Sequence, residues 1–397
     1  MSAIHLRRQA LIHVRCLCSS ATSSEKPKAL TFNYARSRIS RTQDLDEVID
    51  IFNSVRELPN VAGSRFVQDI VVHRLISAER FSDIETLLEN QKMHPNIKLE
   101  SFTTSLIICY GKAKMVDRAI KTYQQMDDHG TPRTVTSFNA LLTACREAGE
   151  FNKVTELFAE IPAKFGLTPT QVSYGILIKS ICEMGSPDKA YEILKDMKEK
   201  DVKINTVIYT TLIDAFYKNQ KPEEARKVWE EMVKMGCSPD RPAYNSRLLY
   251  VANHGNLEEA LKIIEEMEAS ELKPDAPTYT FLLSCYCKNG KGEEAKKVYE
   301  TMVAKACYPT VQTYRIYVNH LCENAKYDLG LEIFMESVKR NRVPPFKTAT
   351  LLLEGLAKNG KVDEAKELIK TVKNRYAPNM STSWVKLEAE LGLSKSD

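Results

Sequence analysis

Two consecutive blocks of 35 residues decide the fold of this chain. Residues 206–240 read TVIYTTLIDAFYKNQKPEEARKVWEEMVKMGCSPD, and residues 241–275 read RPAYNSRLLYVANHGNLEEALKIIEEMEASELKPD. The blocks can be laid over each other position by position, with Glu-Glu-Ala, Glu-Glu-Met and Pro-Asp at the same places. A fixed period in this range is typical of a solenoid of stacked repeats rather than of a globular domain.

The same period extends in both directions from these blocks. Clear repeats begin at eight positions, 35 residues apart except for one step of 36: Glu100, Val135, Gln171, Thr206, Arg241, Ala276, Val311 and Phe346. A degenerate unit precedes them at residues 66–99. We therefore expect one array of about nine units over residues 66–379, because each unit of such an array needs to touch only its neighbours.

Two shorter segments flank the expected array. Residues 25–65 carry one amphipathic helical signal, and we interpret them as a linker with a degenerate half repeat. The signal is formed by Leu45, Val48, Ile51, Phe52 and Val55. Residues 380–397 place Trp384, Leu387 and Leu391 on one face of a final helix. We expect that helix to cap the array at its C-terminal end.

Each unit divides into two helices. Position 20 is small in most units, which fits a place where two helices cross closely: Ala119, Val154, Ala190, Ala225, Ala260, Ala295, Gly330 and Ala365. Position 27 is mostly methionine, an adaptable core residue: Met126, Ile161, Met197, Met232, Met267, Met302, Ser337 and Val372. Glycine ends the first helix in five units, whereas Lys114, Gln220 and Ala325 replace it in three others. The sequence predicts an all-α fold, an α-solenoid of 35-residue helical-hairpin repeats wound into a superhelix whose concave face is lined by the first helices.

The first 24 residues differ in character from the repeats. Arg7, Arg8 and Arg15 are interleaved with apolar residues, several serines follow, and no acidic residue occurs before Glu25. A basic, acid-free, amphipathic start is typical of an organelle transit peptide. We expect residues 1–24 to direct the protein to the mitochondrial matrix, with the chloroplast as the alternative, because arginine is prominent so early.

Composition argues against several classes of protein. No apolar run approaches the roughly 20 residues of a membrane helix, so no membrane insertion is expected. Without the three arginines of the transit peptide, 53 basic and 52 acidic residues remain, a net charge of +1. Any nucleic-acid binding must then depend on locally placed residues rather than on bulk charge. The ten cysteines include no Cys-x-x-Cys pair, so we expect buried thiols and no metal site.

A 34-residue tetratricopeptide array, which would make the chain a peptide-binding scaffold, is the nearest alternative repeat. Here the period is 35, the residue before most units is polar, and the fifth position is small and polar in six of eight units. The sequence therefore resembles the P type of the pentatricopeptide repeat family, and within it the small plant mitochondrial members, some of which associate with the mitochondrial ribosome. The resemblance covers roughly residues 66–379 and rests on Tyr244-Asn245-Ser246, Glu258-Glu259-Ala260, Glu265-Glu266-Met267 and Pro274-Asp275.

This resemblance implies a right-handed superhelix that binds single-stranded RNA at about one base per repeat. In the family, the fifth residue of a unit and its last residue select the base. The implied base-reading pairs are Thr104 with Thr134, Asn139 with Thr170, Thr210 with Asp240, Asn245 with Asp275, Thr280 with Thr310, and Thr350 with Asn379. Base stacking is implied for Val172, Val207, Pro242 and Pro277, and phosphate contacts for Lys112, Lys218, Lys288 and Lys358.

Two of these pairs match specific bases in the family. Thr210 with Asp240 matches the pair for guanine, and Asn245 with Asp275 matches the pair for uracil. We therefore expect a G-U dinucleotide in the bound strand. Thr350 with Asn379 fits adenine, whereas Arg315 with Pro345 matches no pair.

Such a short code limits what the protein can recognise alone. Two bases select only about one site in ~16, and each mismatch costs about 1 to 3 kcal/mol. We therefore predict a single-stranded RNA-binding protein, bound to mRNA or ribosomal RNA, that acts in mitochondrial translation near the small ribosomal subunit. The alternatives are a transcript processing, stability or splicing factor, and a protein-binding helical scaffold without RNA contact.

The motif content argues against catalysis. The sequence lacks the His-x-Glu with Pro-Cys-x-x-Cys pattern of deaminases, the His-Glu-x-x-His pattern of zinc proteases, and the spacing of a P-loop. We expect no enzyme activity, no cofactor and no DNA partner.

Overall fold

The computed structural model describes residues 32–55, 65–376 and 381–392. The predicted transit peptide at residues 1–24 and the predicted base-reading residue Asn379 lie outside these ranges. Within them the chain forms α-helices and two short 3-10 turns and contains no β-strand, which confirms the all-α prediction. No helix of this described part combines the length and apolar character needed to cross a lipid bilayer.

The helices belong to two compact units, residues 1–168 and residues 169–397. The described helices of the first unit are α1 (Phe32–Arg41), α2 (Leu45–Val55), α3 (Arg65–Ser77), α4 (Phe81–Lys92), α5 (Glu100–Lys112), α6 (Val116–Gln124), α7 (Val135–Ala148) and α8 (Phe151–Phe165). The described helices of the second unit are α9 (Gln171–Glu183), α10 (Pro187–Glu199), α11 (Thr206–Lys218), α12 (Pro222–Lys234), α13 (Arg241–His254), α14 (Leu257–Ala269), α15 (Ala276–Lys288), α16 (Gly292–Ala304), α17 (Val311–Glu323), α18 (Tyr327–Lys339), α19 (Phe346–Lys358), α20 (Val362–Val372) and α21 (Ser381–Glu390). The 3-10 turns are Pro95–Lys98 and Lys373–Arg375.

The first helix of each clear repeat begins at the residue where the 35-residue period predicts it, from Glu100 to Phe346. In six of the eight repeats a polar residue precedes the helix, where a side-chain oxygen can accept a hydrogen bond from a backbone N–H of the first turn. These acceptors include Asn205, Asp240, Asp275 and Thr310, at 2.9 to 3.2 Å from the amide nitrogen. The helical-hairpin repeat is therefore confirmed.

The two predicted core columns are buried. Every alanine of the position-20 column has no exposed surface, and a Cβ added to Gly330 in that column would lie 3.3 Å from a methyl carbon of Leu352. The methionines of the position-27 column are at most 1% exposed. Cysteine thiols join this core, and burial raises the pKa of Cys145 to about 12, which keeps the thiol protonated.

The turn between the two helices of a repeat has a left-handed residue whether or not glycine is present. Gly255 and Gly290 have φ values of 70° and 68°. Lys114, Gln220 and Ala325, which replace glycine at this position, have φ values of 59°, 57° and 55°. The backbone path of the repeat thus overrides the local preference of these three side chains.

The N-terminal segment differs from its prediction. The sequence predicts a linker with a degenerate half repeat in residues 25–65, whereas the structure has α1 before α2 in this segment, a pair of helices. Ala35 and Ile39 are fully buried, and the Arg74 guanidinium donates to the carbonyl oxygens of Ile39 and Thr42. Arginines and serines occupy much of the rest of α1, so its apolar periodicity is too weak to be detected in the sequence.

At the C-terminal end, α21 packs on the last repeat. Trp384 is 1% exposed, and its ring centroid lies 4.9 Å from that of Phe346 and 5.6 Å from that of Tyr376. Leu387 belongs to the same apolar cluster.

Candidate nucleic-acid interface

The Thr210 and Asp240 pair is joined by a hydrogen bond in the structure. Thr210 Oγ1 donates to Asp240 Oδ1 over 3.0 Å. The same oxygen accepts from the backbone N–H of Ala243 at 2.9 Å, so Asp240 also caps α13. The carboxylate is therefore held in place by the helix that follows it, and it in turn fixes the rotamer of Thr210.

An open cavity of about 400 Å³ lies beside this pair. Val207 and Pro242, two of the predicted stacking residues, line it together with Thr210 and Asp240. Val207 is 63% exposed and Pro242 is exposed, so both present apolar surface to solvent. Two apolar surfaces flanking a hydrogen-bonding pair form a site whose size lies in the range of small-ligand pockets.

The charges around this cavity nearly balance. Lys179 and Lys218 line it, and so do Glu183, Asp214 and Asp240. Lys218, a predicted phosphate contact, lies 2.7 Å from Asp214, and this hydrogen bond raises the pKa of the ammonium group above its ordinary value. A ligand of this cavity must therefore be recognised through hydrogen bonds and stacking more than through bulk positive charge.

The Asn245 and Asp275 pair is also hydrogen bonded, and a third residue completes it. Asn245 Nδ2 donates to Asp275 Oδ1 at 3.1 Å. The buried hydroxyl of Thr278 lies 2.8 Å from Asn245 Oδ1 and 2.8 Å from Asp275 Oδ1. Asp275 also caps α15 through the Thr278 N–H. The amide of Asn245 is thus held in one orientation, with its nitrogen toward the carboxylate.

Thr280 and Thr310 are not hydrogen bonded to each other. Thr280 is only 3% exposed, and its hydroxyl donates to the Ala276 carbonyl at 2.7 Å. Both threonines lie next to the Thr313 hydroxyl, at 2.7 Å and 3.0 Å. The hydroxyl of Thr280 is therefore used inside the protein rather than presented to a ligand.

Thr104 and Thr134 in the first unit are likewise engaged elsewhere. Thr104 is 8% exposed and donates to the Ser101 carbonyl at 2.9 Å. Thr134 Oγ1 lies 2.8 Å and 3.0 Å from the two carboxylate oxygens of Glu100. Burial raises the pKa of Glu100, but hydrogen bonds from Ser137 and Thr134 outweigh that effect and hold the pKa below its ordinary value.

The remaining predicted pairs are only partly described. Asn139 lies half-buried in the first unit, and Thr170 caps α9 in the second unit, where its backbone N–H donates to Ser173 Oγ at 3.0 Å. Thr350 donates to the Phe346 carbonyl at 3.1 Å, while its predicted partner Asn379 lies outside the described residues.

The other predicted contact residues lie at the surface. Val172 is 60% exposed, and Pro277 is exposed. The remaining predicted phosphate lysines each have an intramolecular partner: Lys112 lies 2.9 Å from Asp69, Lys358 lies 4.0 Å from Glu354, and Lys288 donates to the Ala252 and Asn253 carbonyls at 3.0 Å and 2.9 Å. Exposed ion pairs of this kind are weak, so a phosphate can compete for the lysines that make them.

One set of residues beside the site, at the same position in successive repeats, is not among the site residues predicted from the sequence. The third position of the first helix carries a small hydroxyl residue in five repeats, and each is at most 2% exposed: Ser137, Ser173, Thr278, Thr313 and Thr348. A buried hydroxyl at this place lies next to the reading side chain of the preceding repeat, as Thr278 and Thr313 show. The sequence shows a repeated Ser or Thr at this position. It does not show which side chains these hydroxyls contact, because those hydrogen bonds depend on how consecutive first helices pack.

The described ranges hold no cluster of three or more His, Cys, Asp or Glu side chains suited to a metal ion. The candidate site consists instead of neutral polar groups, carboxylates and exposed apolar side chains on consecutive first helices.

Three family models match the sequence. The model of the PPR repeat family matches residues 204–248, 242–288 and 274–323. The model of the pentacotripeptide-repeat region of PRORP matches residues 19–200, and the PPR repeat model matches residues 347–375. Together they cover most of the chain, including both hydrogen-bonded pairs.

Similar proteins are found among curated sequences and solved structures. A pentatricopeptide repeat-containing protein of Arabidopsis thaliana, named as mitochondrial, is 44% identical over 195 residues, 49% of this chain and 47% of that protein. The small ribosomal subunit protein mL103 (rPPR7) of the same plant is 42% identical over 217 residues, 53% of each protein. The chain thus spans about half the length of these relatives. The crystal structure of the pentatricopeptide repeat protein PPR10 from maize is 20% identical with a TM-score of 0.48, and the match covers 94% of this chain and 62% of that one.

Proposed function

Since this chain belongs to the pentatricopeptide repeat family, we propose that it is a non-catalytic single-stranded RNA-binding protein of mitochondrial gene expression. The observation that carries the proposal is the Thr210 and Asp240 pair, hydrogen bonded at 3.0 Å beside a cavity that Val207 and Pro242 also line. The Asn245 and Asp275 pair repeats this arrangement 35 residues later.

The hydrogen-bond donors and acceptors of the first pair fit guanine. The Thr210 proton is directed at Asp240, so the hydroxyl oxygen is left as an acceptor. Within the described part of the chain, Asp240 Oδ2 makes no hydrogen bond and is a second acceptor. Guanine carries donors at N1 and N2, whereas the N1 atom of adenine is an acceptor. Two acceptors side by side therefore favour guanine.

The second pair fits uracil. Asn245 offers both a donor and an acceptor, and uracil places an N–H between two carbonyl oxygens. The second proton of Asn245 Nδ2 can bond a uracil carbonyl while Oδ1 accepts from its N–H, since the first proton is directed at Asp275. Base edges exposed in a single strand are the usual targets of sequence-specific RNA recognition.

We place this activity in translation, at the small subunit of the mitochondrial ribosome. The support is the relative mL103, a small ribosomal subunit protein that is 42% identical over about half of each chain. A two-base code is too short to select one transcript. In this proposal, attachment to the ribosome brings the protein to its RNA, and the two bases need not identify the transcript alone. The other relative is named as mitochondrial, which supports the predicted location.

Exchange of Thr210 for asparagine tests the RNA part of this proposal. The wild-type protein should bind a short RNA containing G-U about tenfold more tightly than one with U-U at the same place, given the usual cost of one mismatched base. Thr210→Asn should shift the preference from G-U toward U-U. The asparagine amide places a hydrogen-bond donor against the N1 and N2 donors of guanine, whereas uracil has carbonyl acceptors for that donor. Fluorescence anisotropy with labelled oligonucleotides measures both constants.

A matched control is Thr301→Asn, the same chemical change on an exposed threonine of α16. It should leave both affinities unchanged. An unaltered base preference in the Thr210 variant would contradict the proposed reading.

A further inference from the structure

A second cavity of the second unit lies against α13, α15 and α17, and the base-reading pairs do not account for it. Its volume is about 340 Å³. Leu249, Phe281 and Ile316 supply apolar wall, and Arg315 and Asn319 supply polar groups. Arg315 stands at the fifth position of its repeat, the place that Thr210 and Asn245 hold in earlier repeats.

The guanidinium of Arg315 has no internal partner. It is exposed, and within the described residues it makes neither a hydrogen bond nor an ion pair. Arg247 and Arg340, by contrast, are paired with Glu266 and Glu336. The residue that would assist Arg315 is Pro345, which caps α19 without a side-chain hydrogen bond. The donors of Arg315 are therefore free for a ligand.

Asn319 lies one helical turn beyond Arg315 on the same face of α17. Its Oδ1 atom is buried and has no hydrogen-bond partner in the part of the chain that the structure describes. A buried acceptor without a donor costs free energy, so a ligand that donates a hydrogen bond to Asn319 Oδ1 gains that energy on binding. The cavity thus offers a fork of donors beside one unused acceptor.

We propose that this cavity binds a guanine base, with Arg315 donating to O6 and N7 and Asn319 Oδ1 accepting from N1–H. The proposal rests on the RNA-binding function proposed above. Guanine carries the acceptors N7 and O6 on its Hoogsteen edge, followed by the N1–H donor on the adjoining Watson–Crick edge, and the planar guanidinium fork matches the two acceptors. Adenine and cytosine place an amino group where O6 of guanine stands, and uracil has a single carbonyl there.

The charges of the cavity favour a base over a phosphate. Lys288 donates to the carbonyls of Ala252 and Asn253 and is thereby held at the end of α13. Glu323 brings a negative charge to the same cavity. Burial lowers the pKa of His320, so this imidazole adds no positive charge at neutral pH. A neutral base with acceptors for Arg315 meets less repulsion from Glu323 than a phosphate does.

The repeat spacing gives the position of this guanine in the strand. Arg315 lies two repeats beyond Asn245, which is assigned to uracil. With one base per repeat, the guanine is the second nucleotide beyond the U of the G-U dinucleotide.

The test uses the full-length chain and four RNAs that carry G-U and differ only at this nucleotide. The wild-type protein should bind the guanine RNA about tenfold more tightly than the other three, as expected for one bidentate contact. Arg315→Ala should bind all four RNAs with similar affinity, because the preference for guanine is lost. Arg315→Lys should do the same while retaining the charge, because lysine lacks the fork. Arg342→Ala, which removes an exposed arginine outside the cavity, should keep the preference.

The possible outcomes distinguish a failure of the guanine site from a failure of the proposed RNA-binding function. A wild-type protein that requires G-U but shows no preference at the tested nucleotide overturns the guanine site alone. An equal loss of affinity for all four RNAs in Arg315→Ala, rescued by Arg315→Lys, assigns Arg315 to a phosphate and also overturns it. No binding to any of the RNAs overturns the guanine site together with the RNA-binding function. Circular dichroism of each variant confirms that it is folded.

Discussion

Thr278 shows how a residue outside the recognition pairs can govern what a pair presents. Its hydroxyl shares one proton between Asn245 Oδ1 and Asp275 Oδ1, each 2.8 Å away, and accepts from the Asp275 N–H. This network distinguishes the two ends of the Asn245 amide, which differ only in donor and acceptor character. Asn245 therefore presents a fixed pattern of hydrogen bonds to the base.

Thr278→Val tests this role because valine keeps the shape and removes the hydroxyl. We expect the amide of Asn245 to lose its fixed orientation, and the preference for uracil over cytosine at that nucleotide to fall by roughly the value of one hydrogen bond, about fivefold. Binding constants for the two RNAs measure it. Thr278→Ser retains the hydroxyl and should restore the preference, and an undiminished preference in Thr278→Val would show that Thr278 does not position the amide.

The residue scale is also where the sequence predicts least reliably. Thr210 with Asp240 and Asn245 with Asp275 were singled out in the sequence, and the structure joins each pair by a hydrogen bond. Thr280 has the same place in its repeat, yet its hydroxyl is buried against Thr313. The amide of Asn245 can bond Asp275 and Thr278 at once, whereas the single hydroxyl of Thr280 is used by the Ala276 carbonyl and Thr313. A code written in pairs does not include this third residue.

At the scale of helices and turns, the sequence predicts where the helices begin better than it predicts which residues adopt a strained backbone conformation. Each clear repeat starts at the predicted residue, and in six of the eight a polar residue stands at the cap of the first helix, whereas Leu99 and Pro345 hold that place in the other two. The left-handed residue that ends this helix is dictated by the path of the repeat, so Gln220 adopts φ 57° without being glycine. The missed helix α1 is the opposite case, since its few apolar residues give no clear period.

Gln220→Gly should stabilise the protein. A side chain in the left-handed region costs roughly 1 kcal/mol or more, and the added chain entropy of glycine offsets part of that gain. We expect an increase of about 0.5 to 1 kcal/mol in the free energy of unfolding, measured by urea titration.

The reciprocal exchange is Gly290→Ala. An added Cβ at Gly290 would meet no atom within 4 Å, so only the backbone conformation is altered. It should lower the free energy of unfolding by about 1 kcal/mol. Equal stabilities for Gln220→Gly and wild type, together with no loss for Gly290→Ala, would show that the turn is not strained.

On the scale of the whole molecule, the period in the sequence predicts the repeats, and the family models agree with it. The sequence also explains why few pairs match the family, because Gly175 has no side chain to hydrogen bond a base and Arg315 with Pro345 matches no family pair. The match to mL103 covers about half of this chain. The proposed role at the ribosome rests on that similarity and on the near-neutral net charge.

The measurement that tests the account most directly is the sedimentation of the tagged protein in a sucrose gradient of mitochondrial extract. The account predicts that the protein migrates with the small ribosomal subunit and moves to lighter fractions when RNase disrupts that particle. Migration in a lighter, RNase-sensitive complex without ribosomal RNA would favour a transcript-processing or stability role instead. A protein found only in free fractions that RNase does not alter would contradict the central claim that this chain acts on RNA at the ribosome.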